Sequence, residues 1–250
     1  MINRIITSLS KYYPFSIEEL RVNQFLLDWE AISQNRDIKW NDSIIEEFAN
    51  KLNFSWDGLG MNPSLPLTRD FIKRFEKLWE WTYLTDNPAI EWSADLIEEF
   101  KEDWTWEICE FAGNVGLSLN RHLPWCIDLI DIFKDNWCWP ELSCNPSLPW
   151  SKDLIERYRD HWEWGSFIDY GGLSNNPSPI VKNLLLKYYP ERIDYKHFKP
   201  ESNLTEYSNS FYDDICSSYK TPNEIDSVLL EYCEQYGLSK LINCINITLL

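Results

Sequence analysis

The side chains in this chain that could do chemistry are three histidines, seven cysteines and a set of paired acids. His122, His161 and His197 sit in unrelated contexts with no shared metal-ligand spacing, so they read as exposed or structural. Cys109, Cys126, Cys138, Cys144, Cys216, Cys233 and Cys244 contain no C-x-x-C pair. Odd in number and scattered, they suit reduced thiols in a cytosol better than a disulfide framework. The acid pairs Glu46–Glu47 and Glu98–Glu99 could divide general acid–base work. They recur at one helix-surface position, however, and a solvated face explains them. No Gly-rich phosphate loop, G-x-S-x-G, H-E-x-x-H or EF-hand pattern is present. The expectation is a non-enzymatic chain with no cofactor and no metal.

Fourteen tryptophans are the more telling residues. A stacking platform for bases or sugars would use such side chains, but a slot filled in unit after unit is what a core ladder needs. Their order supports the core. An apolar anchor stands just before each of seven helix starts: Phe15, Trp40, Leu67, Trp92, Trp125, Trp150 and Val181. The spacings are 25, 27, 25, 33, 25 and 31 residues. Eight residues after the anchor come Phe48, Phe75, Phe100, Phe133, Tyr158 and Tyr189, with Asn23 in the first unit. Further on, Leu27, Phe54, Trp79, Trp104, Trp137 and Trp162 each precede by two residues Trp29, Trp56, Trp81, Trp106, Trp139 and Trp164. These slots absorb every tryptophan in the chain.

Ser16, Asn41, Thr68, Ser93 and Ser151 follow their anchors, where a side-chain oxygen can cap a helix. Glu18, Asp70, Asp95, Asp128 and Asp153 come two residues later and favour the positive end of the helix dipole. Leu154, Ile155, Tyr158 and Trp162 fall on one helical face. Trp164 does not, because two residues are a rotation of about 200°. Two buried tryptophans there demand an extended backbone, and Pro140 after Trp139 reads as a helix stop. The expected unit is one helix of about ten residues and an extended or turn-rich return. Asn35, Asn62, Asn87, Asn120, Asn145 and Asn176 recur in that return, where an amide can bond its own turn and the backbone of the neighbouring coil. Cys126, Cys138 and Cys144 occupy slots that other units fill with other residues, and are expected as small buried hydrophobes.

The line "W-x-W-x-x-L-S-x-N-P-x-L-P-W" resembles the tryptophan-rich "WDW…LSxNP" repeats of many large-DNA-virus and some bacterial proteins, over about residues 14–189. Between the tryptophans this chain has Glu80, Thr105, Cys138 or Glu163 in place of Asp. The resemblance implies an architecture and no activity.

The fold expected is mainly α: a right-handed or curved solenoid of about seven ~25-residue units over residues 1–190, with a C-terminal helical cap in residues 191–250. The pattern stops after Pro190, and "TPNEIDSVLLEYCEQYG" carries a complete set of helix start and stop signals. Two insertions, 107–116 and 165–172, both follow the second tryptophan and would emerge at one edge.

No apolar run reaches the length of a membrane span, and no signal-peptide pattern opens the chain, so a cytoplasmic location is expected. Net charge is −17, which repels nucleic-acid phosphate and anionic lipid. Neither nucleic acid nor membrane is an expected partner; a basic protein is. Stacked helices should align Glu98, Glu99, Glu102, Asp103, Asp128, Asp131, Asp135, Asp153, Glu156 and Asp160 into one acidic, partner-binding field. The function this implies is a protein–protein interaction scaffold, for example an inhibitor or immunity protein neutralising a basic partner. The alternatives are an enzyme whose site lies in the C-terminal region, with Tyr195, His197, Asp213 and Asp214 as candidates, or a structural virion or assembly component.

Overall fold

The computed structural model describes residues 2–107, 116–165, 172–196, 198 and 224–242. Among them the chain is mainly α, with no strand. Contacts divide it into two compact units, Met1–Glu91 with Ser217–Leu250, and Trp92–Cys216. The repeat series contributes to both.

Helix α1 covers Ile2–Tyr12, α2 Ile17–Asn23, α3 Trp29–Ser33, α4 Asp42–Phe48, α5 Arg69–Arg74 and α6 Trp81–Leu84. In the second unit lie α7 Ala94–Glu99, α8 Ile127–Ile132, α9 Trp139–Cys144, α10 Lys152–Arg157 and α11 Pro179–Tyr188. Helix α12, Glu224–Tyr236, returns to the first unit.

The helices that follow an anchor start where the caps place them. Ser16, Asn41, Thr68, Ser93 and Ser151 each accept the backbone N–H three residues on. Cys126 does the same for α8, its Sγ taking the Leu129 N–H at 3.4 Å. Most run six or seven residues, shorter than the ten expected. In the six-residue helices the aromatic eight after the anchor leaves helical geometry, as Phe75 and Tyr158 do at φ −111°, ψ 20° and φ −117°, ψ 29°.

The return, expected as extended or turn-rich, is extended over a single residue only at its start. One residue, that between the paired slots, is extended: Asp28, Glu80 and Cys138 have ψ of 103°, 91° and 96°. A second short helix then begins at the tryptophan itself, as in α3, α6 and α9. Pro140 sits in the first turn of α9 instead of ending its predecessor, because a first-turn residue needs no N–H of its own. Where insertions or Gly58 intervene, a single 3₁₀ turn replaces the helix, at Leu59–Met61 and Leu173–Asn175. These second helices stack on one another: α3 on α1, α6 on Leu59–Met61, α9 on Leu173–Asn175.

Within each unit, side-chain ladders join one coil to the next. Each turn asparagine folds its own turn with Oδ1, as Asn62 does for Ser64 N and Asn145 for Ser147 N, both at 2.9 Å. Its Nδ2 reaches back one coil. Asn62 donates to the Ser33 and Asn35 carbonyls at 3.1 and 2.9 Å, and Asn87 to those of Gly60 and Asn62. In the second unit Asn145 donates to Ser118 and Asn120, and Asn176 to Ser143 and Asn145. The serines reach forward. Ser118, Ser143 and Ser174 Oγ accept the backbone N–H of Cys138, Glu163 and Asp194. All these asparagines and serines are buried, so their amides and hydroxyls must be bonded or cost stability.

The ladders also locate coil material that carries no tryptophan. Leu9 and Ser10 in α1 are fully buried; Ser10 Oγ accepts from Asp28 N, and its carbonyl from Asn35 Nδ2. At the other end Ile193 is buried, Asp194 N bonds Ser174 Oγ, and Tyr195 Oη donates to the Pro190 carbonyl five residues back. The second-slot tryptophans make that same five-residue bond, Trp139 to Lys134 and Trp164 to Arg159. Ile193–Tyr195 thus stands where W-x-W stands elsewhere, and the repeat runs past Pro190.

The first-slot tryptophans Trp79, Trp104, Trp137 and Trp162 are buried. The second-slot ones are half-buried, and Trp56 is 56% exposed, so the expectation of two buried tryptophans per unit holds for the first slot only. Their outer edges lie at the surface because each covers the flank of the next coil: Trp139 meets Tyr158 and Trp162 at 5.3 and 5.1 Å between centroids. Residues 191–250 were expected to close the last hydrophobic face. The longest described helix of that segment, α12, packs on α1, the first helix, with Ser8 bonded to the buried Asp226.

Candidate functional site

The acidic residues singled out in the sequence lie in the second unit and fall into slots set by their helices. Asp128 and Asp153 take the first turns of α8 and α10, beside the free N–H groups of the helix starts. Glu98, Asp131 and Glu156 share the slot six after the anchor. Glu102, Asp135 and Asp160 share the slot ten after it, in the turns that follow α7, α8 and α10. Glu99 is half-buried, and Asp103 and the other eight are exposed.

These acids do not form one uniform field. Asp131 pairs with Arg157 and accepts the Tyr158 hydroxyl at 2.6 Å. Glu156 accepts the Tyr189 hydroxyl at 2.6 Å and lies 3.4 Å from Arg159. The Tyr158 hydrogen bond, with Arg157 behind it, holds the Asp131 carboxyl below its ordinary value, and Tyr189 does the same for Glu156. Burial, reinforced by the carboxylates, pushes both phenols up to about 12. Asp131 and Glu156 therefore join coil to coil. The outward acids are Glu98, Glu102, Asp103, Asp135 and Asp160, with Asp128 and Asp153 engaged at helix starts.

The paired acids of the first unit are joined likewise. Arg74 reaches Glu46 and Asp42 at 2.6 Å each, and Arg21 reaches Glu47 at 2.6 Å. Each carboxylate is held by a guanidinium of another coil. One sequence signal did mark the inter-coil bonds of the second unit. The aromatic eight after the anchor changes from Phe to Tyr at 158 and 189, which supplies a hydroxyl facing the preceding coil's acid.

Among the described residues the histidines and cysteines are dispersed. His122 is exposed, and exposed His161 meets Trp139 at 4.6 Å between ring centroids, tilted by 56°. Among the described residues no group of three or more His, Cys, Asp or Glu side chains is placed to hold a metal ion. Cys126 is exposed and caps a helix, so the buried-hydrophobe expectation fails for it. Cys138 and Cys144 are half-buried, and burial pushes their thiols up to about 11 and about 12. Of the C-terminal catalytic candidates, Tyr195 fills a repeat slot, while His197, Asp213 and Asp214 lie outside the described residues.

Most of both insertions, 108–115 and 166–171, also lies outside them. Their bases are described and match. Leu117 N and Ser118 N bond the Thr105 and Trp106 carbonyls, and Leu173 N and Ser174 N bond those of Glu163 and Trp164. Gly172, at φ +108°, makes the second closure, since a Cβ there would overlap the Gly165 carbonyl. The backbone closes each insertion with the same pair of hydrogen bonds.

No helix among the described residues is long and apolar enough to cross a membrane. Comparison with family models, with curated proteins and with solved structures returns no match.

Proposed function

We propose that this chain is a non-enzymatic binding scaffold: a solenoid of about seven tryptophan-rich units that presents an acidic surface to a basic protein. The observation that carries the reading is the row Glu102, Asp135 and Asp160, one exposed acid at the same slot of three units. Side chains that build the coils are consumed in packing and in the two ladders. Those that remain outward are dominated by acids, in a chain of net charge −17. Such a surface attracts a basic partner over a distance and orients it on approach. An inhibitor or immunity protein that neutralises a basic protein is the concrete form, and the thiols suit a cytoplasmic setting. The likeness to tryptophan-rich "WDW…LSxNP" repeats belongs to the same proposal and bears on architecture alone.

The test begins with capture of a stoichiometric basic partner by the full chain at low salt. Reversal of Glu102, Asp135 and Asp160 to Lys then slows association at least tenfold and leaves the melting temperature within about 1 °C. Turnover of a substrate by the chain alone, or an unchanged on-rate in the triple variant at low salt, overturns the reading.

A further inference from the structure

Tyr188 and Tyr189 end α11 side by side and face opposite environments. Tyr189 points inward, 3% exposed, and gives its hydrogen to Glu156. Tyr188 is 39% exposed, and two ammonium groups flank its ring. Lys187 Nζ lies 4.9 Å from the ring centroid, and Lys152 Nζ, from the first residue of α10, lies 5.0 Å from it. One cation comes from its own helix and one from the preceding coil, so the stacking of α10 and α11 builds the setting. A phenol reacts through its phenolate, and nearby positive charge favours that form. The Lys187 hydrogen bond and charge, assisted by Lys152, lower the Tyr188 pKa from its usual value, whereas burial raises that of Tyr189.

We propose that Tyr188 is a nucleophilic modification site that accepts acyl groups from small activated acyl donors. In the step, the Tyr188 oxygen attacks the acyl carbonyl carbon and an O–C ester bond forms. The bond from that carbon to the leaving group breaks, the leaving group departs with its electron pair, and the phenolic proton passes to solvent. Lys152 and Lys187 are positioning residues here: they stabilise the oxyanion and stay bonded to their own chains.

The probe is N-acetylimidazole, applied to the full folded chain near neutral pH, with the rate at each tyrosine read by peptide mass spectrometry. Tyr195 is the internal control, being more exposed at 64%, with its hydroxyl donated to the Pro190 carbonyl. Tyr188 is expected to acetylate at least fivefold faster than Tyr195, and far faster than Tyr158 or Tyr189. The double variant Lys152→Gln, Lys187→Gln should lower the Tyr188 rate at least threefold and leave Tyr195 unchanged. The pH at which Tyr188 absorbs as phenolate, read by difference spectra against Tyr188→Phe, should rise in that variant. A Tyr188 rate at or below that of Tyr195, or one indifferent to both lysine substitutions, overturns the proposal.

Discussion

Tyr158 donates its hydroxyl hydrogen to Asp131, 27 residues earlier, at 2.6 Å, and Tyr189 repeats the bond to Glu156, 33 residues earlier. The bond sets two limits on stability against pH. The Asp131 and Glu156 carboxyls are lowered in the fold, so their contribution is present above about pH 4, the unfolded value. It is lost as pH falls through the lower folded value. The phenols are raised to about 12, so their contribution is complete below about pH 10. It is lost as pH rises toward 12. Thermal melts across pH should show a plateau between these limbs, and Tyr158→Phe with Tyr189→Phe should make both limbs shallower. Tyr158→Phe alone should cost about 1 kcal/mol at neutral pH.

Charge reversal separates acids that build the coil from acids that face outward. Asp131→Lys places an ammonium against Arg157 and strips Tyr158 of its acceptor, so the melting temperature should fall by several degrees. Asp135→Lys, four residues on in an exposed turn, should leave it nearly unchanged. Equal effects in differential scanning fluorimetry would contradict the assignment.

The tryptophan slots predict two different costs. Trp137, 4% exposed, donates Nε1 to the Ile130 carbonyl at 3.1 Å and packs on Trp125 and Trp106. Trp137→Ala should destabilise by about 3–5 kcal/mol in urea unfolding. Trp56, 56% exposed, should cost about 1 kcal/mol or less in the same measurement.

Cys126 caps α8 with sulfur at a position where the other capped helices use oxygen. Cys126→Ser should therefore stabilise the chain by about 0.5–1 kcal/mol, since a hydroxyl accepts an N–H more strongly than a thiol does. A lower melting point for the serine variant would mean the thiol is held by packing instead.

What the sequence made legible were features with a local cause. Ser151 caps α10 because a hydroxyl beside a helix start has one use, and Asn145 bridges coils because a buried amide at a fixed turn must bond something. The second helix was illegible because Trp139–Pro140 is ambiguous: proline both ends helices and opens them. Cys126 misled by residue type, although its slot, filled by Ser, Thr or Asn elsewhere, pointed to a cap. Leu9–Ser10 and Ile193–Tyr195 escaped a count based on tryptophan, since their place is defined by partners and not by ring type. The pairing of Asp131 with Arg157 and Tyr158 depends on coil register, which no local window of sequence contains.

In the second unit the backward asparagine and the forward serine give successive coils the same plug and the same socket. Removing residues 126–150 would bring Ser151 onto Trp125, a junction already present as Trp150–Ser151, and would leave Asn120 and Ser118 facing Asn176 and Glu163 as they now face Asn145 and Cys138. Recombination between two neighbouring coding repeats would then lengthen or shorten the protein by whole coils without creating a misfit seam. Copy number becomes a heritable variable that selection can adjust separately from the fold.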